Sequence, residues 1–388
     1  MNPELQIVLI AVVTAVAAAL PGTYLVLRRT ALVSDAISHA ILPGIVVAFF
    51  LTHDLNSPLL LVAAAATGVL TVFLIESLLR SRLVPEDASI GLVFPALFSI
   101  GVILISRYAG DVHLDTDSVL LGELALAPFD QMVIGGAELG PRALWTMGTI
   151  LLLNLLLIGL AWKELKLATI DPGLAALLGF SPVAIHYSLM AMVSITAVGA
   201  FDAVGSILVV ALMIAPPATA YLVVDRFAPM LWVGAAVAAT SAILGYAVAF
   251  ALDVSIAGSM AAACGILFTV ALLVAPRRGL VAQARRRSSQ RLELGVRMLL
   301  VHLLHHQETE SEAEECRVPS LHRHLRWSEA RTRQVVREAE ARELVSRAGD
   351  LLYATSEGGS LADVAVVGEH ERDTMARRRV HAGTRRTP

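Results

Sequence analysis

The sequence predicts an all-α polytopic membrane protein of about eight or nine transmembrane helices, followed by a small cytoplasmic winged-helix domain. Three observations predict it. Hydrophobic residues make up 56% of the chain, mean hydropathy is +0.70, and the apolar residues gather in blocks of roughly 20, each able to cross ~30 Å of hydrocarbon. Charge is sparse, at 16%, and uneven: residues 285–388 hold 19 of the 30 Lys and Arg and 16 of the 33 acids. Helix-and-turn patterning of the soluble kind is found only in that last region. The expected organisation is a membrane domain at 1–280, a linker at 281–290, a soluble domain at 291–360 and a disordered basic tail at 361–388. The net charge of −3 carries little meaning once the chain is divided this way.

Taken in order, the candidate spans are 5–27, 32–51, 57–79, 88–106, 143–162, 183–201, 203–224, 228–252 and 255–275. An alternative reading makes the sixth and seventh one hairpin bent at Asp202. The N-terminus, MNPELQIVLI, lacks a basic leader, so the first block reads as a span and not as a cleaved signal. Counting loop bases gives the orientation. Arg28, Arg29, Arg80, Arg82, Lys163, Lys166, Arg226, Arg277 and Arg278 fall on one side, and only Arg107 and Arg142 on the other. That places the N-terminus outside a cell membrane and the C-terminus in the cytoplasm. Cys264 and Cys316 lie in different environments, which argues against a disulfide framework or a cysteine zinc site.

The chemistry concentrates in RRTALVSDAISHAILPGIVVAFFL (28–51). Asp35 and His39 stand four residues apart and so share one helical face. Ionisable groups inside a span are costly and mark function, and a carboxylate with an imidazole suits a divalent ion. The competing reading puts both at the membrane interface, solvated or capping. Outer loops carry Asp54, Asp111, Asp115, Asp117, Glu123, Asp130, Glu138 and Asp253, a surface that concentrates cations. The same acidity also follows from the exclusion of bases from outer loops. The most crowded stretch is HLDTDSVLLGELALAP (113–128), with His113, Asp115, Asp117 and Glu123. Asp202, at the outer end of its hairpin, either joins this route or serves a turn.

On the inner side, KELKLATIDPGLAALLGFSP (163–182) contains a short helix. Asp171 suits its N-cap, Pro172 its first position and Gly179 its stop. Its apolar face, Leu174, Ala175, Leu177 and Leu178, docks either on a partner or on its own membrane domain. Further on, Pro216-Pro217 is expected to break or kink its helix, and Gly199, Gly205 and Ser206 permit close packing. In the tail, an amphipathic helix at 292–307, helices at 318–327 and 328–345 and a hairpin around Ala348-Gly349-Asp350 form a winged-helix pattern with Ser328 as an N-cap. His302, His305 and His306 read as a solvated face. No G-x-x-x-x-G-K-[ST], nucleophile elbow or H-E-x-x-H occurs.

Together, LVLRRTALVSDAISHAILPGI (25–45), EDASIGLVFPALFSIGVILIS (86–106), HLDTDSVLLGEL (113–124), KELKLATIDPGLAALLG (163–179) and FDAVGSILVVALMIAPPATAYLVVDR (201–226) resemble the permease subunits of the zinc/manganese/iron ABC transporter family. The resemblance implies a permease that is not itself an enzyme, with separate cytoplasmic ATPase subunits, an external metal-binding protein and a second permease subunit. It implies a transported ion, Mn(II) first and then Fe(II) or Zn(II), and no tightly bound cofactor. The metal-route candidates are Asp35, His39, Asp115, Asp117, Glu123 and Asp202. Those for ATPase coupling are Asp171, Pro172, Leu174, Ala175, Leu178 and Gly179. One departure stands out: two residues separate Ala175-Ala176 from Gly179, where the wider ABC-importer pattern has three. The tail is similar to the DNA-binding domain of iron-dependent repressors, yet is expected not to act on a promoter. Two rivals remain, a membrane-tethered metal-responsive regulator and a secondary metal transporter.

Overall fold

The computed structural model describes residues 2–53, 57–108, 124–134, 137–307, 309 and 311–362, and divides into two compact units, Met1–Leu280 and Val281–Pro388. The first unit opens with α1 (Pro3–Arg28), α2 (Leu32–Ala40), α3 (Leu42–Thr52), α4 (Pro58–Arg80) and α5 (Glu86–Tyr108). A small antiparallel ladder, β1 (Gln131–Ile134) with β2 (Ala137–Pro141), leads into α6 (Arg142–Leu160). Then come α7 (Trp162–Ile170), α8 (Pro172–Leu177), α9 (Pro182–Val204), α10 (Ser206–Val223), α11 (Phe227–Leu252) and α12 (Ile256–Val274). Among the described residues, nine stretches are long and apolar enough to cross a membrane, with Leu32–Thr52 counted as one.

Helix α1 is the hub, packed against α6, α9, α10 and α11. Ala11, Ala15, Ala17, Ala18 and Ala19 are buried along it, and such small side chains let helix backbones approach closely. Pro21 interrupts its hydrogen-bond ladder, because proline has no amide proton for the Ala17 carbonyl. Asn154 of α6 replaces that donor: its Nδ2 donates to Ala17 O at 3.1 Å and to Thr196 Oγ1 of α9 at 2.9 Å. The next residue, Gly22, faces the Met213 carbonyl of α10, which Pro217 deprives of its own helical donor. A Cβ at position 22 would stand 2.0 Å from that oxygen, so only glycine fits.

Breaks fall at other places than the sequence indicates. The second span divides at Ile41 into α2 and α3, with Pro43 in the first turn of α3. Helix α10 runs through Pro216-Pro217 without the break that the pair could have imposed. The sixth and seventh spans part at Gly205 and not at Asp202, which lies inside α9. Gly205 takes φ 80° and ψ 163°, a region essentially closed to other residues.

The second unit begins with α13 (Leu280–His306), which runs straight through the expected linker at 281–290. No Pro or Gly occurs between residues 280 and 294 to stop it. There follow α14 (Glu312–Glu315), α15 (Val318–His324), α16 (Glu329–Ala341) and an antiparallel hairpin of β3 (Val345–Ala348) and β4 (Leu351–Ala354), turning at Gly349 with φ 64°. Ser328 Oγ caps α16 by accepting from Arg331 N at 3.3 Å. Val296, Leu299, Leu300 and Leu303 form the core with Leu321, Val335, Val336, Ala339 and Leu352. His305 is exposed, but His302 turns inward, its side chain only 13% exposed.

The Pro21–Asn154 relationship sets an expected outcome. Asn154→Leu lowers stability in detergent by about 1–2 kcal/mol, because the Ala17 carbonyl is left without a donor. In a Pro21→Ala background, where the helix supplies its own amide, the same change has a clearly smaller effect. Thermal melts of the four proteins check this; an equal loss in both backgrounds refutes it.

Candidate metal centre

Asp35 and His39 lie on α2, where the 3.6-residue period stacks them one turn apart. His39 Nε2 is 3.5 Å from Asp35 Oδ1, and both side chains are partly exposed. The helix beneath them is fixed by its serines: Ser34 Oγ donates to Ala31 O at 2.7 Å, and Ser38 Oγ donates to Ser34 O at 2.9 Å. The Phe94 ring of α5 stands 5.9 Å from the His39 ring and walls one side. Helix α2 ends one residue after His39, and Pro43 has no amide proton for the His39 carbonyl. A carboxylate oxygen and an imidazole nitrogen therefore sit at a break in a membrane helix, the setting in which irregular backbone and polar groups gather at transport sites.

Other candidates fall elsewhere. Asp202 is exposed in the last turn of α9, on a different helix from Asp35 and His39, with Arg142 and Asp130 as its charged neighbours. Asp115, Asp117 and Glu123, with most of the 113–128 stretch, lie outside the described residues.

The short helix α8 is closed at both ends by its own chain. Asp171 Oδ1 accepts from Leu174 N at 2.9 Å, and Pro172 occupies the first turn. At the far end Gly179, with φ 88°, brings Phe180 N to Ala175 O and Gly179 N to Ala176 O, both at 3.1 Å. Ala175 is buried, whereas Leu174, Leu177 and Leu178 are exposed.

One polar network escaped sequence reasoning. Glu76 of α4 holds His186 Nε2 at 2.5 Å through Oε1 and accepts from Tyr187 OH at 2.7 Å through Oε2. Arg28 donates to His186 Nδ1 at 3.0 Å and to Ala168 O at 3.3 Å, tying α1 and α7 to α9. Arg80 approaches Glu76 to 3.6 Å. The signal was present, since Glu76 and His186 are ionisable residues in apolar runs. At this end Phe227 also meets Tyr24 and Trp162, with ring centroids 5.3 Å apart in each pair. Beside the start of that helix, Asp225 pairs with Arg277.

Residues 3–275 match the family model described as the ABC 3 transport family. The zinc transport system membrane protein TroD of Treponema pallidum is 48% identical over 358 residues, 92% of this chain and 97% of its own. The manganese transport system membrane protein MntD of Bacillus subtilis is 45% identical over 286 residues, 74% of this chain and 97% of its own. Among solved structures, PsaBC from Streptococcus pneumoniae in complex with Fab aligns with a TM-score of 0.60 at 26% identity, covering 72% of this chain and 94% of that one. A match across nearly the whole first unit, together with these relatives, shows that this multi-pass membrane protein belongs to the ABC 3 transport family.

Proposed function

We propose that the chain is the permease subunit of an ATP-driven importer of divalent transition metal ions, and that Asp35 and His39 line the ion's route. The observation that carries this is the pair itself: an oxygen and a nitrogen ligand on one face of a broken membrane helix, within a transport-family fold. Relatives named for zinc and manganese support a first-row cargo. Two ligands and no thiolate favour loose binding, which an ion in transit requires. Fe(II) has the same ligand chemistry. Asp202, with Asp115, Asp117 and Glu123 of the sequence's outer-side acids, is the candidate entry path.

ATP hydrolysis belongs to separate cytoplasmic ATPase subunits, since the chain has no phosphate-binding loop. An external metal-binding protein and a second permease, identical or not, complete the assembly. The bundle end that gathers Arg28, Arg80, Arg277 and Arg278 faces the cytoplasm by the positive-inside rule, which makes the C-terminus cytoplasmic. Helix α8 is the ATPase docking element, held by Asp171, Pro172 and Gly179 and offering Leu174 and Leu178 beside buried Ala175.

The second unit is a winged-helix module that regulates or stabilises the transporter and does not repress a promoter. Acids are interspersed with its bases: Arg333 pairs with Glu329 at 3.8 Å, Arg342 with Glu338 at 2.7 Å and Arg347 with Glu340 at 3.9 Å. Such a surface offers no clean basic stripe to phosphates.

Three outcomes are expected. Asp35→Asn and His39→Ala each reduce metal uptake into cells by at least about 10-fold at normal expression; uptake at wild-type levels removes the pair from the route. Asp substitution at Leu174 and Leu178 releases the ATPase in detergent pull-downs, and a complex that survives both changes places docking elsewhere. Gel-shift titration with the full chain in detergent detects no sequence-selective binding to its own promoter DNA, with or without Mn(II). Selective binding that persists at physiological salt would reverse the third reading, because non-specific contacts weaken steeply with salt.

A further inference from the structure

We infer that the second unit carries a separate binding site for a first-row divalent ion, with His302, His306 and Glu315 as ligands and His324 as the residue that positions the carboxylate. The site goes beyond the transport reading and does not rest on it. His302 and His306 are one turn apart on α13, their ring centroids 4.7 Å from each other. Glu315 closes α14 beside them, and one ligand atom from each of these three side chains lies within 4.8 Å of the others. None of the three is fully exposed.

The hydrogen bonding is that of an imidazole site prepared for metal. His302 Nε2 is 3.0 Å from the Glu315 carbonyl, which leaves Nδ1 to bind. His306 Nδ1 is 3.2 Å from Ser311 Oγ, which leaves Nε2. Metal-binding imidazoles typically spend their second nitrogen on a carbonyl, carboxylate or water partner in this way. His324 Nδ1 contacts Glu315 Oε2 at 2.8 Å, orienting the carboxylate as such partners do. A simple ion pair accounts for the arrangement less well. One carboxylate is surrounded by three imidazoles, and protonating them would bring like charges together. Two imidazoles and a carboxylate are a borderline donor set, so zinc should bind more tightly than manganese.

A bound ion would join the end of α13 to α14 and, through His324, to α15. The chemistry of the second unit would then respond to the concentration of a metal in the compartment it faces.

The test uses the full chain in detergent, carrying Asp35→Asn and His39→Ala so that the membrane pair does not contribute. Zn(II) is titrated calorimetrically into this protein and into the same protein with His302→Ala and His306→Ala added. One zinc per chain is expected in the first, with affinity at least about 10-fold weaker in the second. Zinc should raise the melting temperature of the first protein only, and excess Mn(II) should not displace it. Glu315→Gln keeps an oxygen acceptor for both imidazoles and covers the case in which the double variant does not fold; it too should weaken zinc. His324→Gln should weaken it less. Equal zinc affinity with and without the tail ligands, or an equal melting shift in Glu315→Gln, overturns the assignment, and neither result bears on transport through Asp35 and His39.

Discussion

The hydrogen bond from Asn154 to the Ala17 carbonyl shows the constraint on which the rest of the membrane unit depends. In hydrocarbon no water is available to satisfy a backbone group, so every proline inside a span creates an obligation for a neighbour. Pro21 obliges α6 to present an amide side chain, and that amide also reaches Thr196, fixing α1, α6 and α9 together. Pro217 leaves the Met213 carbonyl without its ladder partner, and the surface facing it is the bare backbone at Gly22. The alanine seam of α1 permits both approaches. A larger side chain on that seam would separate the helices and leave the freed carbonyls unanswered.

The same reasoning explains where chemistry is tolerated. Asp35 and His39 stand next to a helix end, where the ladder is already interrupted and polar groups have company. Glu76, by contrast, is held by donors from two other helices, Tyr187 and His186 of α9 directly and Arg28 of α1 through His186. The first arrangement keeps ligand capacity available; the second consumes it in structure. That difference, and not mere position inside a span, separates open ligands from a structural rivet.

Hydropathy and loop charge made the spans legible, because a bilayer imposes length and apolarity on each segment independently of its neighbours. Helix caps were legible too: Asp171, Pro172 and Gly179 act through local backbone chemistry. What sequence could not show depends on partners distant in the chain. The Tyr187–Glu76 and Arg28–His186 contacts join residues 111 and 158 positions apart. Pro216-Pro217 looked like a break because proline disrupts an isolated helix, yet packing keeps α10 continuous. The inward turn of His302 was hidden because α14 and α15, which cover it, do not announce themselves by periodicity. Of the candidate metal ligands among the described residues, Asp35 and His39 are brought together, and Asp202 lies apart on α9.

Gly205 is the sole residue between α9, of 23 residues, and α10, of 18. Two long rods are thus joined by a single pivot. Any change in their mutual tilt has to be taken up by one pair of torsion angles, without the slack that a longer loop provides. Such a joint confines the pair to few directions of movement and transmits displacement from one rod to the other with little loss. It also leaves no room for a side chain at the pivot, since the angles there belong to glycine alone.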